Sequence, residues 1–127
     1  MIELKTKPMS LKITKIQKDG DAKEEYILLE ATENVNISAY AIIDKTFNKD
    51  GKVSNVHKHF YRFPSKTVKK GEYVSLRTGK GNNTVGTLTD GSTVHRFYWG
   101  SDAAFWNDNN VEQAELLKVE TVAKKAA

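Results

Sequence analysis

The 127-residue chain has no cysteine, so it holds neither disulfides nor thiolate metal sites. It also has no apolar run approaching the roughly 20 residues of a membrane span, and residues 1–5 lack the apolar stretch of a secretory signal. The absence of cysteine fits a reducing compartment without establishing one. We therefore expect a cytoplasmic protein if the chain is full length, and otherwise a secreted one whose leader has been removed.

The sequence lacks the motifs of common catalytic sites. No Gly-x-Ser-x-Gly turn marks a nucleophilic serine. The glycine-rich residues 79–83 are no phosphate-binding loop, because no Gly-Lys-Ser/Thr opens a helix there. Residues 46–57 match a calcium-binding loop only in part, since His57 stands where the bidentate glutamate is needed. We therefore expect no enzymatic activity and no cofactor.

Short runs rich in aromatic and β-branched residues are what the chain does contain. Runs such as residues 26–31 and 93–99 are separated by Gly, Asn and Asp turn residues, at intervals of about 8–12 residues. This pattern predicts an antiparallel sandwich or barrel of about seven or eight strands, with no convincing helix. One domain is expected over residues 9–122, between a flexible lead-in at 1–8 and a frayed tail at 123–127.

Four local predictions concern which strands and turns these runs form. Alternation of apolar residues over 35–43 predicts one continuous half-buried strand. Residues 60–63 and 70–79 predict two strands joined by a tight connection. Residues 48–51 predict a hairpin turn. Residues 112–118 have helical propensity, but a strand is preferred there because one is needed to close the sheet.

Aromatic side chains are expected to supply much of the core. Trp99 and Trp106 are predicted to anchor it, because tryptophan is costly to leave exposed. Tyr61 and Phe63 point to one face of their strand and Phe60 points to the other. A strand in a two-layer sandwich buries only one face fully, so we expect an aromatic side chain to remain exposed.

Four segments resemble the lamin tail domain in order and spacing. They are residues 35–40 (VNISAY), 61–64 (YRFP), 68–74 (VKKGEYV) and 105–107 (FWN), the last standing before Leu116 and Leu117. The resemblance extends over residues 24–122. The chain departs from the family at Ala39 and Tyr40, where Gly-Trp is common, and at residues 110–112, where the family commonly has Gly-Asp.

The resemblance implies an immunoglobulin-like β-sandwich of about seven to nine strands and a non-catalytic role. Family members act as chromatin- and protein-binding tails in eukaryotes, and prokaryotic relatives lie beside hydrolases or nucleases as attachment domains. The resemblance therefore implies a binding or attachment module whose partner is a protein or a nucleic acid. An alternative is a structural subunit that assembles through an edge strand or an aromatic face.

Positive charge is concentrated in residues 45–80. Ten lysines or arginines face only two carboxylates there, an excess of eight charges in a chain whose net charge is +4. Such a segment suits a protein surface or an anionic polymer such as DNA, and the alternative is a solvated face that protects edge strands from aggregation. The predicted binding residues are Lys45, Lys49, Lys52, Lys58, Arg62, Lys66, Lys69, Lys70, Arg77 and Lys80.

The three histidines suggest an alternative metal site. His57 and His59 are two apart on a predicted strand, so their rings share a face. His95 on a neighbouring strand would complete the three-histidine zinc site of a small hydrolase. Neighbouring lysines and arginines oppose cation binding, and no ordering carboxylate is evident in the sequence nearby. The competing interpretation is exposed, partly stacked histidines without a metal.

Overall fold

The computed structural model describes residues 10–17, 21–46, 59–103 and 112–126. These residues form ten strands and one 3₁₀ turn, with no α-helix among them. The strands are β1 (Leu11–Gln17), β2 (Tyr26–Ala31), β3 (Val35–Asn36), β4 (Tyr40–Thr46), β5 (Phe60–Arg62), β6 (Thr67–Val68), β7 (Tyr73–Arg77), β8 (Thr84–Thr87), β9 (Thr93–Tyr98) and β10 (Glu112–Lys118).

The strands form three sheets. The largest has five strands in the order β1-β2-β7-β9-β8, a second has the order β10-β4-β5, and β3 pairs with β6. Neighbouring strands are antiparallel except β7 and β9, which are parallel. The parallel pair arises because the β8–β9 hairpin places β9, rather than β8, next to β7.

Apolar side chains of the two main sheets face each other in one core. In β2, Ile27 and Leu29 are fully buried, whereas their neighbours on the outer face are half-buried, as the two-residue period of a strand requires. Ile42 and Phe63 of the opposite layer belong to the same buried cluster. The Phe63 ring meets Phe97 edge to face, with 5.5 Å between the ring centroids. The protein is therefore an all-β sandwich, and this prediction is confirmed.

The predicted continuous strand over residues 35–43 is wrong. The chain forms β3, a 3₁₀ turn at Ile37–Ala39, and then β4. Asn36 caps this turn, because its side-chain oxygen accepts the Ser38 N–H at 3.0 Å, and such a local acceptor competes with strand pairing. The turn also buries Tyr40, which simple alternation places on the opposite face from its buried neighbours.

The predicted tight connection between two central strands is also wrong. β5 belongs to the three-stranded sheet and β7 to the five-stranded sheet. Residues 63–72 cross between these sheets and carry β6, which pairs with β3. The side-chain oxygens of Asn34 and Asn36 accept the N–H groups of Lys70 and Lys66. These bonds satisfy two backbone N–H groups of the crossing segment that are not paired with a neighbouring strand.

Residues 112–118 form a strand, as the need to close a sheet predicts. This strand, β10, pairs with β4 from Glu112 opposite Thr46 to Lys118 opposite Tyr40. Helical propensity is therefore overridden by tertiary pairing. The predicted hairpin turn at residues 48–51 lies outside the described residues.

The aromatic residues divide as the strand period predicts. Phe60 is 54% exposed, whereas Phe63 is 2% exposed, which confirms that one aromatic of this strand faces solvent. Tyr61 is half-buried and lies between Phe63 and Trp99, with ring centroids 5.2 and 5.8 Å away. Trp99 packs against the core, and Trp106 lies outside the described residues.

Candidate binding site

Three exposed lysines lie in the loops on either side of β6. Lys66 precedes the strand, and Lys69 and Lys70 follow it; these three form what we term the β6 lysine cluster. The Asn36 side-chain oxygen accepts the Lys66 N–H at 3.2 Å, and that of Asn34 accepts the Lys70 N–H at 2.9 Å. The asparagines therefore fix the backbone of the cluster, while the lysine side chains remain exposed.

None of the three ammonium groups forms a salt bridge with a described residue. The carboxylate beside them, that of Glu72, is already bound by the Lys69 backbone N–H and by His95. Three positive charges thus stand within five residues, and no described carboxylate is directly bound to them. Such an arrangement attracts an anionic ligand.

A groove adjoins the cluster at the end of the five-stranded sheet. Residues 64–66 form one wall, residues 83–85 at the start of β8 form the other, and residues 95–97 of β9 complete it. We term it the β8 groove; its volume is about 310 Å³, at the lower end of typical ligand sites, about 300–1,000 Å³. Val85 on its wall is 56% exposed.

His95 and Glu72 connect the groove to the lysine cluster. His95 is 6% exposed, and its Nε2 lies 3.0 Å from Glu72 Oε1. The same oxygen accepts the Lys69 N–H at 2.9 Å. These two bonds lower the pKa of the Glu72 carboxyl, the backbone bond most strongly and the His95 bond next.

The imidazole is oriented by this contact. His95 Nδ1 is buried and has no hydrogen-bond partner among the described residues. Nε2 is the ring nitrogen that faces the carboxylate of Glu72, 3.0 Å from Oε1. His95 and Glu72 therefore hold the turn that carries Lys69 against the wall of the β8 groove.

Two sequence-based interpretations of the histidines are wrong at His95. It is buried, not exposed, and it does have an ordering carboxylate. The contact joins residues 23 positions apart and depends on β7 and β9 lying side by side. No local pattern in the sequence reports such a contact.

The described residues hold no group of three His, Asp or Glu side chains suited to a metal ion. His59 lies edge to face against Trp99, with 6.4 Å between the ring centroids. Nε2 of His95 is bound to Glu72. His57, the third residue of the suggested metal site, lies outside the described part of the chain.

Three other predicted basic residues are engaged elsewhere in the fold. Arg62, on β5, donates to the Ser38 carbonyl at 2.8 Å and to the Thr121 hydroxyl at 3.1 Å. Arg77, at the end of β7, donates to the Lys23 carbonyl at 2.8 Å, and Lys80 forms a 2.9 Å salt bridge with Asp102. The side chain of Lys45 is not described, and the remaining predicted residues outside the described ranges are Lys49, Lys52 and Lys58.

Arg96 is a cation of this region that lies outside the basic segment at residues 45–80. It follows His95 on β9, lies opposite Thr84 of β8, and contributes to the β8 groove. A Cβ placed on Gly86 would collide with its guanidinium, so Arg96 extends across β8. Within the described part of the chain this guanidinium has neither a hydrogen bond nor a salt bridge. Gly86 and Arg96 lie on neighbouring strands, and no local sequence pattern predicts their close approach.

Neither the protein-family models nor the characterised proteins compared with this sequence give a match. The resemblance to the lamin tail domain therefore stays a prediction based on four segments. Three of those segments fall on β3 to β4, on β5 and on the β6–β7 turn, and the fourth lies outside the described residues. In the ranges that the structure describes, no helix is long and apolar enough to cross a membrane.

Proposed function

We propose that the chain is a non-catalytic binding or attachment module that holds an anionic partner through the β6 lysine cluster. The observation that carries this proposal is the cluster itself: three exposed lysines on a backbone fixed by Asn34 and Asn36, with no salt bridge to a described residue. Both nucleic acid and an acidic protein surface present the required charge. The lamin-tail resemblance supports the same class of role.

The state of His95 supports binding over hydrolysis. A general base needs a ring nitrogen within hydrogen-bond reach of a substrate or water. In His95 one nitrogen is bound to Glu72 and the other is buried. This arrangement favours a structural role for the pair over proton transfer to a bound ligand.

The expected strength of binding follows from the charge count. Each lysine that contacts a duplex phosphate contributes about −0.9 to the slope of log affinity against log salt. Three contacts give a slope of about −2.7, so raising salt from about 50 to about 200 mM lowers affinity about 40-fold. An acidic protein surface gives the same sign of salt dependence.

The test is a titration of labelled duplex DNA and of polyglutamate at several salt concentrations. The variant Lys66→Gln/Lys69→Gln/Lys70→Gln is expected to lose most of the affinity and the salt slope. The matched control replaces three exposed lysines on and after β10 with glutamine: Lys118, Lys124 and Lys125. Equal losses in both variants would mean that net charge alone drives binding, and the cluster would have no special role.

An assembly role is the second candidate, and Phe60 favours it. This exposed aromatic lies on β5, which is an edge strand of its sheet in the described structure. Light scattering over a range of concentrations tests the idea. A mass that rises above the 14.3 kDa of one chain, and that Phe60→Ser restores to the monomer value, would support assembly. A monomer at all concentrations would rule it out.

A further inference from the structure

We infer that the exposed edge of β8 and the β8 groove bind an extended peptide as an added strand, with acidic side chains alternating with apolar ones. The inference deepens the proposed binding function by assigning it a second contact surface and a class of partner. It rests on the unpaired edge of β8, on the apolar groove on one side of that strand, and on Arg96 on the other side, which has no bonded partner among the described residues. It also rests on the charge that a second copy of the chain would bring to this edge.

The two edges of the five-stranded sheet differ in how they are protected. β1 carries a register shift between Ile13 and Lys15 and has the exposed lysines Lys12 and Lys15. A bulge and lysines are the usual devices that keep an edge strand from pairing. β8 (TVGT) has no charged residue and no proline, its register with β9 is regular, and no described strand lies beyond it. No strand of the described residues therefore covers the β8 edge, and this edge can accept an incoming strand.

The inner side of β8 offers an apolar surface. Val85 lies opposite His95, and Pro64 and Phe97 contribute to the same groove. Side chains of an added strand alternate between the two faces of the sheet. Those on the inner face would enter this 310 Å³ groove, where apolar groups are the better fit. Lys66 on the opposite wall supplies a positive charge that can contact a carboxylate at the end of the added peptide.

The outer side of β8 offers a positive charge. The guanidinium of Arg96 lies over Gly86 and has no acceptor within the described residues. Gly86 is what allows the arginine to reach across β8, because any side chain there would occupy the same space. The outer-face side chains of an added strand would lie near this guanidinium, where a carboxylate forms a charge-assisted hydrogen bond.

Charge distinguishes an acidic peptide from a second copy of this chain. Pairing β8 with β8 of another copy would bring two Arg96 side chains to one junction, and β8 itself supplies no carboxylate to either. Like charges at a contact weaken it. A segment alternating acidic and apolar residues satisfies both faces at once, as strand addition requires.

The experiment uses the full chain and a fluorescent peptide of alternating Glu and Val, about eight residues long. We expect saturable binding below about 1 mM and binding at least about 10-fold weaker for the Lys/Val peptide of equal length. Two further peptides carry N-methyl groups on alternate backbone amides, one in each phase. At least one of these two peptides should bind about 10-fold or more weakly, because only every second backbone amide of an added strand points toward β8 and pairs with it.

Two variants with matched controls locate the site. Arg96→Gln is expected to weaken binding of the Glu/Val peptide about 5-fold. Its control, Lys124→Gln, removes the same charge from an exposed position elsewhere and should leave binding unchanged. Val85→Glu is expected to weaken binding about 10-fold or more, and Val122→Glu, at a 94% exposed site, should have no effect. Thermal melts confirm that each variant is folded.

The inference is overturned if the Glu/Val peptide does not bind, if both N-methylated peptides bind as well as the unmodified one, or if Arg96→Gln behaves like its control. DNA or polyglutamate binding that depends on the β6 lysine cluster, together with absent peptide binding, would leave the proposed function standing and remove only this inference. Peptide binding, together with DNA and polyglutamate binding that the triple lysine variant leaves unchanged, would remove the role proposed for the β6 lysine cluster and leave this inference standing.

Discussion

Replacing Glu72 by glutamine tests the link between the lysine-bearing turn and the β8 groove. The carboxylate accepts the Lys69 N–H and contacts His95 Nε2. Hydrogen bonds to a charged group contribute about 1.5–3 kcal/mol, but Glu72 is partly exposed, so solvent screening reduces this. We expect Glu72→Gln to lower the free energy of unfolding by about 1 kcal/mol at pH 7. The glutamine keeps an acceptor oxygen, so the change reports mainly the loss of charge.

The pH dependence of this difference gives the sharper result. Because the pKa of Glu72 is lower in the folded protein than its ordinary value of 4.5, the contribution of the carboxylate is fully present above that value. It is lost as the pH falls through the lower, folded pKa, where the carboxylate becomes protonated. The stability gap between the wild type and Glu72→Gln should therefore be largest near neutral pH and should close in acid.

Urea unfolding at neutral pH and at several acidic values measures this gap. With a slope of about 1–3 kcal/mol per molar urea, a 1 kcal/mol loss moves the midpoint by roughly 0.5 M. Glu120→Gln is the matched control, because Glu120 is exposed and forms no salt bridge with a described residue. A gap that stays constant or widens as the pH falls would refute the assignment of the stabilisation to the Glu72 carboxylate.

Three further predictions concern other parts of the sandwich. Asn36→Ala should lower the free energy of unfolding in urea by about 1–2 kcal/mol, because the Asn36 side chain forms hydrogen bonds with three neighbouring groups. The control is Asn82→Ala at an exposed position, and an equal effect in both variants would contradict the capping role of Asn36. Gly79→Ala should cost about 1–3 kcal/mol, because its Cβ would lie 2.8 Å from the Ala22 carbonyl oxygen; an unchanged melting temperature would contradict the close approach. Burial raises the pKa of the Tyr61 phenol above its ordinary 10.0, so Tyr61→Phe should remove an alkaline step from the ultraviolet titration, and removal of a step at or below that value would contradict it.

The strands that the sequence predicts well are those whose local pattern agrees with their tertiary position. β2 is a short apolar run whose alternate residues are fully buried, and β9 carries Phe97, which packs in the core. The sequence-based prediction of residues 35–43 as one strand fails because Asn36 offers its own side chain to the backbone. Apolar alternation does not register such a competing acceptor.

The candidate site was predictable only in part. A basic segment at residues 45–80 is visible in the sequence, and Lys66, Lys69 and Lys70 are within it. Which of its cations are engaged elsewhere depends on partners far along the chain, as for Arg62 with Thr121. The position of Arg96 across Gly86 depends on pairing between β8 and β9. Both arrangements depend on which strands lie side by side, and this order cannot be derived from the composition of the segments.

The pairing of β10 with β4 has a consequence for how the protein reaches its native state. Tyr40 lies opposite Lys118, so this part of the second layer pairs residues that are far apart in the sequence. Closing so long a loop costs entropy before any contact repays it, and topologies dominated by such distant contacts fold in milliseconds to seconds. We expect the β8–β9 hairpin to form early and the β4–β10 seam to set the overall folding rate.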